Sequence, residues 1–174
     1  MKHDEQPGTA YVEDLQLGGL RILRAEGLPG YTTDAVLLAD FAAARPGQRV
    51  CDLGTGTGIL PLLLIGRERH LTITGVELDA RQADMAARSV GLNRLEGQIQ
   101  VLHMDLREAP KVLGHGGFDG VVCNPPYGKK GAVLPNTDPG LAIARHEGPF
   151  GGGRIWALAD PLAGGSGSSV PGLQ

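Results

Sequence analysis

The run Asp52-Leu53-Gly54-Thr55-Gly56-Thr57-Gly58 sets a carboxylate ahead of three alternating glycines. Glycines at such a spacing let a strand turn sharply into a helix and let the backbone approach a ligand closely. Two common phosphate sites are excluded. A dinucleotide fingerprint needs glycine where Ile59 stands, and no Lys-Ser/Thr pair follows as in a P-loop. An acid just before the glycines suits a cationic or amino-bearing ligand better than a pyrophosphate. Glu77 follows 19 residues after Gly58, the place of an acid that grips ribose hydroxyls. Asp105 comes later still, where its carboxylate either accepts from an adenine amino group or caps the helix that follows. The plainer account of the whole loop is a structural glycine turn.

Asn124-Pro125-Pro126-Tyr127 is the second constellation. The prolines fix two φ angles and hold Asn124 and Pro125 out of the helical region. Neither proline donates a backbone hydrogen bond, so the loop presents acceptors, the Asn124 side-chain oxygen and the Pro125 carbonyl. Tyr127 adds a flat face for a base. Two acceptors facing an exocyclic amine would hold both N–H groups and favour charge developing on the nitrogen. The alternative is an ordinary proline turn.

Strands must alternate with helices to bring these residues together. The pattern predicts strands over Arg49–Leu53, Thr72–Leu78, Ile99–Met104 and Phe118–Cys123. It predicts helices over 35–44, capped by Thr32 or Asp34, and over 59–67, 80–94 and 107–113. This alternation means a parallel α/β sheet. Asp52, Glu77, Asp105 and Asn124 then all fall at carboxyl ends of strands, where open α/β sheets bind ligands. Leu20–Leu23 reads as a short strand with one partner nearby, and residues 1–10 as a loose tail.

In order and spacing these motifs resemble the S-adenosylmethionine-dependent methyltransferases that act on amino groups. The segment Tyr31-Thr32-Thr33-Asp34-Ala35-Val36-Leu37-Leu38-Ala39 is similar to one in bacterial tRNA adenine-N6 methyltransferases that modify valine tRNA beside the anticodon. So is Ala142-Ile143-Ala144-Arg145-His146-Glu147. The resemblance covers about residues 12–147 and implies a Rossmann-like fold with a mostly parallel sheet. It implies S-adenosylmethionine as cofactor, held by Thr33, Asp52, Gly54, Gly56, Gly58, Glu77, Leu78, Asp105 and Leu106. It implies that Asn124, Pro125, Pro126 and Tyr127 hold the target amine of a tRNA adenine. Related enzymes with the same loop methylate a glutamine side chain on release factors or guanine N2 in ribosomal RNA. A non-catalytic cofactor-binding fragment is the reading from another class.

The departure from that family is at the C-terminus. Residues 148–174 carry only Arg154 and Asp160 as charges and eight glycines, with Gly164-Gly165-Ser166-Gly167-Ser168-Ser169 of linker composition. The expectation is an incomplete methyltransferase domain over 1–147 with C-terminal strands missing or replaced, and an altered Gly/Ser-rich tail over 148–174. One strand, Arg154–Ala159, is expected to survive there. If it pairs, it should be the exposed edge of five parallel strands; the end after about residue 162 is expected to be disordered, stability to be lowered and activity to be weak or absent.

Composition narrows the rest. With 16 basic against 19 acidic residues the net charge is −3, so any contact with nucleic acid must come from a local patch. The polar N-terminus and the short apolar run Ile59–Ile65 give neither a signal peptide nor a membrane span. A cytoplasmic monomer is expected. Cys51 and Cys123 are too few for a disulfide framework and should lie side by side as buried free thiols on adjacent strands. His3, His70, His103, His115 and His146 have no ligand spacing, so no metal is expected. Lys111, Lys129 and Lys130 either meet phosphate or are solvated. Arg145 and His146 either contact RNA or open a helix.

Overall fold

The computed structural model describes residues 9–114 and 117–124, and the backbone of 143–147 and 154–158. Pro125, Pro126, Tyr127, Lys129, Lys130, His3, His115 and the segment beyond Leu158 lie outside the described residues.

Two strands, β1 (Ala10–Asp14) and β2 (Arg21–Ala25), pair antiparallel as a separate hairpin. The loose tail expected over 1–10 therefore gives way to sheet at Ala10, which supplies the partner expected for Leu20–Leu23. Helix α1 (Thr33–Ala42) follows. Thr32 takes its N-cap position without a side-chain capping bond. Ala43 closes it in the left-handed region at φ 41°, so the helix ends at Ala42, two residues short of the expected end at Ala44.

Then the expected alternation runs: β3 (Arg49–Leu53), α2 (Ile59–Arg67), β4 (Thr72–Glu77), α3 (Ala80–Leu92), β5 (Ile99–His103). A 3-10 turn (Leu106–Glu108), α4 (Ala109–Leu113) and β6 (Gly120–Cys123) complete it. Two more strands are β7 (Ile143–Glu147) and β8 (Arg154–Leu158). The sheet order is β5-β4-β3-β6-β8-β7. All neighbours are parallel except β7, which runs antiparallel to β8.

This corrects two expectations. The strand in the tail does pair with β6, but among the described residues the sheet has six strands and its edge is β7, not β8. Arg145 and His146 sit within β7 rather than opening a helix. The antiparallel register of β7 on β8 runs from Glu147 opposite Arg154 to Ile143 opposite Leu158, and local periodicity carries no sign of that pairing.

The sheet has two unlike faces. Val50, Ile73, Ile99 and Val122 point to one face and pack with α1, α2, α3 and the hairpin residues Leu20 and Ile22 in the main core. Seven successive residues of α2, Ile59 to Ile65, are buried, which explains an apolar run without helical amphipathicity. Cys51, Val76 and Val121 point to the other face and pack with Leu53, Met104, Leu113 and Phe118.

Both cysteines are free thiols on the adjacent parallel strands β3 and β6. They are not opposite each other. Cys51 faces Val121, and Cys123 faces Leu53, an offset of two residues on one face. Burial, helped by the Asp52 charge, pushes both thiols up to about 12, so neither is a nucleophile at neutral pH.

Candidate functional site at the carboxyl ends of the strands

Asp52 is the fourth residue of β3 and fully buried. Neither carboxylate oxygen has a hydrogen-bond partner in the structure. Burial raises its pKa to about 7. The hydroxyl of Thr55 beside it pulls the value back, though it makes no hydrogen bond of standard geometry, and the Glu77 charge adds to the rise.

The glycine loop turns as its sequence requires. Gly54, Gly56 and Gly58 all have positive φ, at 77°, 58° and 89°, a region costly for other residues. The amides of Gly54 and Thr55 both donate to the Val76 carbonyl, at 2.9 and 3.0 Å. That fixes the loop across the end of β4. Gly58 also packs on α3, where a Cβ would stand 3.1 Å from that of Ala86. At Gly54 a Cβ would meet nothing within 4 Å, so the loop is open there to a ligand.

Glu77 ends β4 and is 8% exposed. Its Oε2 accepts from the Gly56 amide at 2.8 Å and its Oε1 from the Asp79 amide at 2.9 Å. The carboxylate is thus aimed by two backbone donors before any ligand arrives, and each oxygen keeps a further lone pair. Beside it Leu78 is 62% exposed, and Leu106 after β5 is 37% exposed. Two open apolar side chains at neighbouring strand ends offer walls for a flat ring.

Asp105 behaves differently. It caps the 3-10 turn through the Arg107 amide at 2.9 Å and holds the Arg107 guanidinium at 2.5–3.1 Å. Those bonds draw its carboxyl down to about 2. The capping reading of Asp105 is the one seen in this geometry. Thr33 is exposed at the first residue of α1.

Asn124 follows β6 directly, next to β3 in the sheet. Its Oδ1 is buried and has no hydrogen-bond partner. Thus Asp52, the glycine loop, Glu77, Leu78, Leu106 and Asn124 share one end of the sheet. Among the described residues no cluster could hold a metal.

Sequence reasoning passed over two residues. Gly75 lies opposite Asp52 in the β3–β4 register, and a Cβ there would come within 2.9–3.0 Å of three Thr55 side-chain atoms. Gly75 is therefore the slot into which Thr55 folds beside Asp52. A glycine inside an otherwise β-branched strand is the signal that marks it. Arg107, two residues after Asp105, is the other.

The donor set has a definite chemical sense. Buried acceptors without donors, the Asp52 carboxylate and the Asn124 amide oxygen, call for a ligand that brings N–H groups, and the lone pairs left on Glu77 can take O–H groups beside them. An ammonium, ribose hydroxyls and a flat base between Leu78 and Leu106 meet that call.

Comparison with known proteins agrees. Residues 32–148 match the methyltransferase small domain family. The tRNA1(Val) (adenine(37)-N6)-methyltransferase of Vibrio vulnificus (strain YJ016) is 36% identical over 120 residues, 69% of this chain and 48% of that protein. Its counterpart in Aeromonas salmonicida is 34% identical over 134 residues, 75% of this chain and 53% of that one. The chain spans about half the length of the curated relatives it matches. Among solved structures, TYW2 of P. horikoshii in complex with MeSAdo covers 66% of this chain and 41% of its own at TM-score 0.53 and 22% identity. That likeness concerns the fold.

Proposed function

Since the chain belongs to the methyltransferase small domain family, we propose that it is an S-adenosylmethionine-dependent N-methyltransferase acting on N6 of an adenine in tRNA. The observation that carries this is the pair of buried acceptors without donors, the Asp52 carboxylate and Asn124 Oδ1, at the ends of adjacent strands. When bound, S-adenosylmethionine supplies a methyl group on a positively charged sulfur.

Asp52 takes the side of the ligand's ammonium, whose charge offsets what burial costs the carboxylate. Glu77, aimed by the Gly56 and Asp79 amides, accepts the ribose hydroxyls. Leu78 and Leu106 flank the ring, and Thr33 and Asp105 complete the pocket. Asn124 Oδ1 accepts one N–H of the substrate amine, and the Pro125 carbonyl accepts the other. Pro126 stiffens the loop and Tyr127 stacks on the base. These acceptors favour the nitrogen as it becomes positive. No strong base is needed, because the amine proton turns acidic once the nitrogen is alkylated, and solvent removes it. The adenine must leave its stack to reach the site.

No helix among the described residues is long and apolar enough to cross a membrane. The same reading puts the enzyme in the cytoplasm as a monomer with tRNA as its partner. The names of the relatives and the motif order support the choice of tRNA adenine.

The test is incubation of this chain with labelled S-adenosylmethionine and unmodified tRNA, followed by digestion to nucleosides. N6-methyladenosine is the expected product. Label in N2-methylguanosine, or in a glutamine of a release factor offered in parallel, would overturn the substrate assignment. No incorporation into either would overturn the activity.

A further inference from the structure

The β4–α3 turn is held by a side chain that no motif predicts. His103 ends β5 and is exposed, and it faces Glu77 in the parallel register. Its Nε2 lies 3.0 Å from the carbonyl oxygen of Leu78. A carbonyl can only accept, so Nε2 carries the hydrogen and donates. The next residue helps from the backbone, since the Met104 amide donates to the Glu77 carbonyl at 2.9 Å.

The Leu78 carbonyl and the Asp79 amide belong to the same peptide unit. Its oxygen takes the His103 hydrogen, and its N–H donates to Glu77 Oε1 at 2.9 Å. One rigid plane therefore links the imidazole to the carboxylate. If the plane tips, Glu77 loses one of the two donors that aim it. A donor at the carbonyl end also polarises the plane and strengthens the bond its N–H makes.

We infer that His103 is a positioning residue for the Glu77 carboxylate, acting through the peptide unit between Leu78 and Asp79. Its consequence for cofactor binding rests on the proposed function, because Glu77 is the residue assigned there to the ribose. The aiming of the carboxylate is a property of the free protein and can be read without any ligand.

The experiment has two arms on the full chain. Amide hydrogen exchange is followed at Asp79 in wild type, His103→Ala and His103→Gln. Loss of one hydrogen bond should speed exchange at Asp79 in His103→Ala by roughly three- to tenfold. His103→Gln, whose side-chain amide again offers a donor, should return it to within about twofold. The thermal midpoint should hardly change, because the imidazole is exposed. Calorimetry with S-adenosylhomocysteine should show weaker binding in His103→Ala and recovery in His103→Gln.

Unchanged exchange at Asp79 in His103→Ala would overturn the inference, even if affinity fell. Equal acceleration in both variants would also overturn it, since bulk and not the donor would be at work. Faster exchange at Asp79, rescued by glutamine, in a protein whose wild type binds no S-adenosylhomocysteine would uphold the positioning role and bring down the cofactor assignment instead.

Discussion

Asp52 makes the free protein less stable as pH rises, and the size of the effect follows from its surroundings. The carboxyl sits fully buried with neither oxygen partnered, and its pKa is raised from 3.8 to about 7. Between these values the folded chain holds a proton that the unfolded chain has released. Stability therefore falls with rising pH across pH 4 to 7 and stays low above it. At 1.36 kcal/mol per pH unit the loss is about 4 kcal/mol, an upper figure because a solvated rearrangement relieves part of it. Asp52→Asn abolishes this titration. The amide brings N–H groups that are themselves unpaired, at a cost of about 1–3 kcal/mol that does not depend on pH. The variant should thus be more stable than wild type by roughly 1–3 kcal/mol at pH 8 and no more stable than it at pH 4.5. Urea denaturation of both proteins in half-unit steps from pH 4.5 to 8.5 measures the difference, in which titrating groups not coupled to Asp52 cancel. A difference constant over that range would refute the reasoning, and with it the claim that Asp52 lacks a donor.

Three other outcomes are expected. If Glu77 accepts both ribose hydroxyls as proposed, Glu77→Ala should weaken S-adenosylhomocysteine binding by about 2–4 kcal/mol in calorimetry; unchanged affinity would take Glu77 out of the site. On the proposed reading Asn124 Oδ1 accepts an N–H of the substrate amine and that bond strengthens as the nitrogen becomes positive, so Asn124→Ala should cut methyl transfer far more than cofactor affinity; single-turnover rates near wild type would end that role. Gly75→Ala drives a Cβ to 2.9 Å from Thr55 Oγ1 and should destabilise the fold by about 1–3 kcal/mol in urea denaturation, with partial recovery in the double variant with Thr55→Ala.

The parts of the fold that sequence displays are those set by local pattern. Thr72–Glu77 is β-branched at Thr72, Ile73, Thr74 and Val76, and Gly54, Gly56 and Gly58 favour a turn, so β4 and the loop stand where expected. The site follows from the same periodicity, because a parallel sheet collects every strand's carboxyl end on one side. What is hidden depends on partners far along the chain. β1 reads Ala-Tyr-Val-Glu-Asp and β7 reads Ile-Ala-Arg-His-Glu, neither with a clear apolar alternation, and each is fixed by its neighbour strand. The offset of Cys51 from Cys123 is a matter of register between β3 and β6, to which spacing within either strand is blind. The pairing of Asp105 with Arg107 was open to view as a two-residue spacing. The geometry that closes it needs the 3-10 turn after β5.

The acids at the strand ends are not equivalent, and the difference orders their roles. Asp105 is already paired with Arg107, and its charge is secured without a ligand. Glu77 is satisfied in part, each oxygen holding one backbone amide. Asp52 has no hydrogen bond of standard geometry, only the Thr55 hydroxyl beside it, and burial holds its proton on to about pH 7. A cationic ligand beside Asp52 would pull that proton off, since the opposite charge favours the carboxylate. Binding of such a ligand near pH 6 must then release a proton, and a neutral ligand of the same shape must not. Affinity for S-adenosylhomocysteine, whose amino group is charged, should accordingly rise as pH goes from 5.5 to 7.5 in wild type and lose this part of its slope in Asp52→Asn. Calorimetry in buffers of different ionisation heat counts the proton directly. Equal proton release by wild type and Asp52→Asn would place the ligand's charge elsewhere in the site.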